Sequence, residues 1–346
     1  MRGHSWVATT LKSALPVVCA LLATAATPVL AQDAGQLTQR VELPIRFKIV
    51  SGATRMWVPV SIGGSRTIEA IIDTGSVGMS VMSSVLDDTS DLPDLSAYQV
   101  SFGSGDNLHG RNTHGTVTLG DTTADMPFAV ITTAGCLPDK PECPSGKVPF
   151  EDFGLAGEGV PGEGFKAILG IGLGSSTSGH PLTSIGVTSW LIDIPIPGIS
   201  EVGKLILNPD DADREGFKMI DAGVAFLDPD SVVGGSLPGC LTVRETSERV
   251  CGPIILDTGA DALVMVTKNK PLFKRLEAGG QFDFEFGDSE DRLGFTIAIP
   301  PKGVQLQTPA PDLRAPRQIL YAGVRPYGTF TVLYDAANNQ VGLKHR

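Results

Sequence analysis

Two stretches of this 346-residue chain end an apolar run in the same three residues, Asp-Thr-Gly. Ala70-Ile71-Ile72 runs into Asp73-Thr74-Gly75-Ser76, and Pro253-Ile254-Ile255-Leu256 runs into Asp257-Thr258-Gly259-Ala260. Each is an apolar run of strand character that delivers a carboxylate to a sharp turn. The glycine lets the backbone turn beside the acid, and the threonine hydroxyl can hold a neighbouring backbone group. Two carboxylates brought into one cleft resist ionising together. They share a proton and can act as base and acid around one water. That chemistry needs no covalent intermediate, metal or cofactor. Two unrelated turns that happen to begin with Asp are the plain alternative, and the repeated apolar run weighs against it.

The elements that must position these acids read as β. Val41 to Val50, Met56 to Ile62 and Thr67 to Ile72 are strand-like, with Gly63-Gly64-Ser65 as a turn. Val81 to Leu86 could form a short helix. Tyr98 to Gly105 and Gly115 to Gly120 read as the two strands of a hairpin, with His109 and His114 near its tip. Residues 136–166 and Pro300 to Pro316 read as irregular loops. Phe282-Asp283-Phe284-Glu285-Phe286 alternates as a half-buried strand. The pattern of strand, acid, strands and glycine-rich closing segment runs twice along the chain.

Met1 to Ala31 reads as a cleaved export signal. Arg2 and Lys12 supply positive charge, Leu15 to Ala26 the apolar core, and Val29-Leu30-Ala31 the cleavage residues. Residues 32–40 then form a short extension. Cys136, Cys143, Cys240 and Cys251 remain, an even number that suggests disulfides in an oxidising compartment, periplasmic or extracellular. Cys136–Cys143 would close a Pro-rich loop and Cys240–Cys251 would clip a hairpin. Zinc is the alternative, without a Cys-x-x-Cys or nearby His to support it. Asp211-x-Asp213-x-Glu215-Gly216 begins like a calcium loop, but Ala222 stands where the bidentate glutamate is needed, so it reads as a solvated turn. The net charge of −11 argues against nucleic acid as a partner. Nothing points to a membrane partner after the signal, and both acids in one chain imply a monomer.

The paired Asp-Thr-Gly motifs resemble those of pepsin-like aspartic proteases. Ala167-Ile168-Leu169-Gly170-Ile171-Gly172 resembles the family's first closing segment, and Tyr321-Ala322-Gly323 falls where the second would be. Tyr327 to Leu343 resembles its C-terminal strand, turn and strand. The likeness spans about residues 41–346. It implies a mostly β, bilobal fold, with an N-terminal lobe over 41–198, a C-terminal lobe over 199–346 and an active-site cleft between them. It also implies an aspartic endopeptidase with Asp73 and Asp257 catalytic and a polypeptide as substrate. Thr74 and Thr258 would brace the two loops reciprocally, and Ser76 would bond the outer oxygen of Asp73, with Ala260 unable to match it. The hairpin becomes a flap over bound peptide, with Phe102, Gly103 and Ser104 against the substrate. The family's flap tyrosine and its tryptophan partner would fall at Phe102 and near Ser80, so both are replaced. A non-catalytic protein that keeps the cleft and binds peptide is the competing reading.

Overall fold

Strand Ile68–Asp73 buries Ile68, Ala70, Ile71 and Ile72, so both of its faces are covered. Such a strand must lie inside a sheet. It pairs antiparallel with Ala53–Ile62 and parallel with Ala167–Ile171. After Asp73 the chain reverses, and Val77–Met82 returns antiparallel to Ala167–Ile171. The second acid is delivered on the same plan. Glu248–Ile255 lies antiparallel to Ser231–Val243 and parallel to Gln318–Tyr321, and Leu263–Thr267 returns antiparallel to the latter. The repeat read in the sequence is thus also a repeat in strand pairing.

The computed structural model describes residues 36–176, 178–196, 199–228, 231–260, 263–267, 280–287, 292–298, 304–307 and 318–346. The signal segment and most of Pro300 to Pro316 lie outside these. The described residues belong to one compact unit, Ala34–Arg346, and form a mostly β protein with two sheets of thirteen and eight strands. No described helix is long and apolar enough to cross a membrane.

The expected division at residues 198 and 199 is not a division between sheets. Val41–Val50 pairs through its first half with Gly203–Leu207 and through its second with Ala53–Ile62. Lys218–Asp221, Phe330–Asp335 and Gln340–His345, all from the later half, extend the same large sheet through Ser189–Asp193. The C-terminal strand, turn and strand are present there. Asp335 accepts the Asn338 N–H at 3.1 Å, and Asn339 takes the left-handed turn (φ 52°), which asparagine tolerates better than most residues.

Aromatic packing joins this region to the smaller sheet. Phe282, Phe284 and Phe286 are buried, with Asp283 and Glu285 between them as the alternation requires. Phe330 meets Phe286 and Phe295 edge-on at 6.2 and 5.7 Å, a favoured arrangement for ring quadrupoles. Trp190, wholly buried, stacks on Tyr334.

Both expected disulfides are present. Cys136–Cys143 spans seven residues with Cα atoms 5.5 Å apart. Cys240 and Cys251 face each other directly across paired strands, with Cα atoms 4.0 Å apart. Loops this short constrain the unfolded chain modestly, so Cys251→Ser should cost about 2–3 kcal/mol. Denaturant melts of the variant and the parent read this directly, and equal midpoints would contradict it.

Several local expectations need correcting. The hairpin strand Ser96–Ser101 pairs with residues 107–112, not with Gly115 to Gly120. Asp106–Leu119 is one continuous strand that pairs along its whole length with Thr122–Cys136. The turn therefore lies at residues 102–105, and His109 and His114 sit mid-strand instead of at its tip. The register shifts between His109 and Gly110, where Thr132 of the partner strand is the extra residue of a bulge. Val81 to Leu86 is not a helix: Val77–Met82 is a strand, and only Ser83–Val85 makes a 3-10 turn, because Val81 and Met82 are drawn into the sheet core. Residues 136–166 are not simply a surface loop, since Phe153, Leu155 and Phe165 are buried and Leu155 bridges Phe165. The acidic stretch near Asp211 forms a short capped helix, Asp211–Arg214, with Arg40 on Asp213.

Candidate active site

The turns that follow the two apolar strands are locked together by their threonines. The Thr74 N–H donates to Thr258 Oγ1 at 3.1 Å, and the Thr258 N–H donates to Thr74 Oγ1 at 3.0 Å. Each hydroxyl then donates across the join, Thr74 to the Leu256 carbonyl at 2.6 Å and Thr258 to the Ile72 carbonyl at 2.7 Å. Both threonines are buried. The N–H and hydroxyl groups of both threonines are thus bonded across the join, which holds the two halves at fixed separation.

That separation brings the acids into contact. A methyl group at Gly75 would lie 2.4 Å from the Asp257 Cγ, and one at Gly259 would lie 2.6 Å from Asp73 Oδ1. Each loop backbone thus touches the opposite carboxyl group, and glycine is required for closeness alone, without any unusual φ. The two carboxyls are close enough to interact directly.

Their surroundings differ. Asp73 accepts the Gly75 N–H on Oδ1 at 2.8 Å and the Ser76 hydroxyl on Oδ2 at 2.6 Å. Asp257 accepts the N–H groups of Gly259 and Ala260, at 2.9 and 3.2 Å, on Oδ1 alone. Burial, followed by the charge and hydrogen bond of Asp73, pushes the Asp257 carboxyl well above the usual carboxylate range. Some of its surface still faces the cleft, but protein crowds it on the other sides.

Sequence reasoning missed three supporting groups. Tyr327 is wholly buried and its hydroxyl meets Thr74 Oγ1 at 2.9 Å and the Tyr334 hydroxyl at 2.6 Å. Arg55, only 9% exposed, donates from Nη1 to the Gly259 carbonyl, tying the first half of the chain to the second acid's loop. Nothing in the primary sequence separates this arginine from one facing solvent. Tyr98 packs its phenol against Ser80; burial raises the phenol pKa and the Ser80 hydroxyl opposes that rise. Ser80 therefore has a tyrosine neighbour after all, four residues before Phe102. The alternation of Ser96–Ser101 was the signal, since it turns Tyr98 inward.

A cavity of about 890 Å³ contains both carboxylates and is lined by Thr74, Gly75, Ser76, Gly259 and Ala260. The hairpin turn Phe102-Gly103-Ser104 lines it too, as do Ile71 and Ile168 from the first repeat and Val264 and Tyr321 from the second. The turn is pinned to the disulfide loop. Buried Asp106 accepts the Ser145 N–H at 2.8 Å and the Ser104 hydroxyl at 2.6 Å, and Lys140 donates to the Gly103 carbonyl at 2.7 Å. Among the described residues no cluster of side chains could hold a metal ion. No model of a known protein family matches the chain, and no curated protein matches it either.

Proposed function

We propose that this chain is an exported, pepsin-like aspartic endopeptidase with two related β lobes and Asp73 and Asp257 as its catalytic pair. The observation that carries this reading is the reciprocal threonine lock, which holds two carboxyls in contact inside a cavity. Such an arrangement opposes the like-charge repulsion that would otherwise separate them, and a structural role alone gives no reason for it.

The asymmetry divides the labour. Asp73, with donors on both oxygens, carries the negative charge, and Asp257 holds the shared proton. A water between them loses a proton to Asp73 while its oxygen attacks the scissile carbonyl carbon. Asp257 gives its proton to the carbonyl oxygen, forming a tetrahedral gem-diol. On collapse Asp73 passes its proton to the departing nitrogen, the C–N bond breaks, and Asp257 recovers a proton from the hydroxyl. The hairpin turn can hold the substrate backbone. The N–H groups of Gly103 and Ser104 bond no described residue and can pair with an extended peptide as with an added strand.

The deciding experiment is incubation of the purified chain with unfolded protein from pH 3 to 7, with and without pepstatin. Pepstatin-sensitive cleavage supports the proposal. Pinning of the hairpin by Lys140 and Asp106 favours a second reading, a cleft that binds peptide without turnover. Binding without cleavage at any pH would establish it.

A pH prediction follows from Ala260. Among the described residues the N–H donors to Asp257 all bond Oδ1, and none matches the Ser76 hydroxyl on the corresponding oxygen of Asp73. Ala260→Ser should supply that donor, favour the charged form and move both limbs of the pH–rate profile to lower pH. An unmoved profile, with the new hydroxyl seen bonded to Asp257, would refute it.

A further inference from the structure

The two repeats pair different side chains at matching positions beside the cavity. Ser80 stands seven residues after Asp73 and is paired with Ile168; Val264 stands seven after Asp257 and is paired with Tyr321. Ile71 and Ile255, each two residues before its acid, sit beside Ile168 and Tyr321 in parallel register. Tyr321 is therefore the counterpart of Ile168, set against a side chain that cannot bond its hydroxyl. It lines the cavity, is partly exposed, and its hydroxyl makes no hydrogen bond with any described residue. Tyr98, near the first repeat, has Ser80 as a partner.

We propose that Tyr321 is a substrate-contacting residue that selects a carboxamide side chain, Asn or Gln, at the position flanking the scissile bond on the second repeat's side. An unbonded phenol in a partly desolvated cleft gains most from a substrate group that accepts its proton. Burial and the charges of both acids raise the phenol pKa, so it remains a donor at every pH at which the pair holds its proton. A substrate carboxylate would be repelled by Asp73. A substrate ammonium has no acceptor and would draw the shared proton off the pair. A neutral acceptor satisfies the phenol without either cost.

This inference rests on the peptidase reading for its substrate class, so its test has two arms. Peptides carrying Gln, Met, Glu or Lys at each position flanking the cleaved bond are compared by kcat/KM in the parent and in Tyr321→Phe. The same peptides are compared by Kd on Asp257→Asn and on Asp257→Asn with Tyr321→Phe, where no turnover is needed. Gln should exceed Met roughly five- to tenfold at one position, the worth of one hydrogen bond, and the ratio should fall to about one in Tyr321→Phe. Because the readout is a ratio within one variant, a general loss of activity cancels. No preference for Gln, a preference that survives Tyr321→Phe, a preference for Glu or Lys, or no peptide binding would each overturn the inference. Absent cleavage together with a Tyr321-dependent Gln preference in binding would overturn the peptidase reading alone.

Discussion

Asp73→Asn and Asp257→Asn should each lower peptide cleavage by on the order of 10³-fold or more, because either change removes the exchange of one proton between two carboxyls. Their effects on stability should differ from those of ordinary core substitutions. The Asp257 carboxyl is pushed toward its protonated form by burial and then by Asp73. The unfolded chain is free to ionise above its ordinary pKa of about 3.9, while the folded chain must hold the proton or bear a desolvated charge. The parent therefore loses stability as pH rises from that value through the raised folded pKa. Asp257→Asn does not titrate and keeps an amide oxygen to accept the Gly259 and Ala260 N–H groups. Its thermal midpoint should exceed the parent's, by a margin that grows from pH 4 to pH 7. An inactive variant that is no more stable at pH 7 would mean that the pair is not strained in the folded protein. Retention of full activity would remove the dyad from the mechanism.

A second large effect should appear at acid pH and come from His180. This residue is buried, accepts the Leu182 and Thr183 N–H groups on Nδ1 at 3.1 and 3.3 Å, and approaches the Gly172 carbonyl through Nε2 at 3.2 Å. The bonds fix the neutral form with its proton on Nε2. Gly172 in turn packs on the backbone of Thr74, so the histidine braces the segment that closes the first acid's loop. Burial pushes its pKa down from 6.5 to about 4. The stabilisation is complete above pH 6.5, where both folded and unfolded chains hold the ring neutral. It is lost as pH falls toward 4, to a limit of about 3 kcal/mol. His180→Gln, which can accept and donate in similar directions, should flatten the decline of the melting midpoint between pH 6.5 and 4. An equal decline in both proteins would show that another group sets the acid limit. Stability should thus peak at intermediate pH, with His180 limiting the acid side and Asp257 the neutral side. Activity is accordingly expected at mildly acidic pH.

The sequence by itself determined the elements whose cause is local. Apolar runs ending in Asp-Thr-Gly fixed where two buried strands turn, and the alternation of Phe282 to Phe286 fixed which face of that strand is inside. Four cysteines in two close pairs fixed short disulfides, and the difference between Ser76 and Ala260 already implied unequal carboxylates. Each depends on residues within a few positions of one another, where period and turn chemistry dominate. The tertiary structure decided whatever depends on partners far along the chain. Which residues face Ser96–Ser101 was set by a continuous strand that also pairs with Thr122–Cys136, so the turn fell at 102–105. Residues 136–166 gained a buried core because Phe153, Leu155 and Phe165 found apolar neighbours that their own glycines and prolines do not reveal. Arg55 reached Gly259, and Tyr327 reached Thr74, across most of the chain. Tyr321 became a cleft residue because its strand is held between Glu248–Ile255 and Leu263–Thr267 beside the second acid. Burial and hydrogen-bond partnership are properties of the assembled neighbourhood, and for a polar side chain the same letter in the sequence serves a solvated surface or a desolvated site.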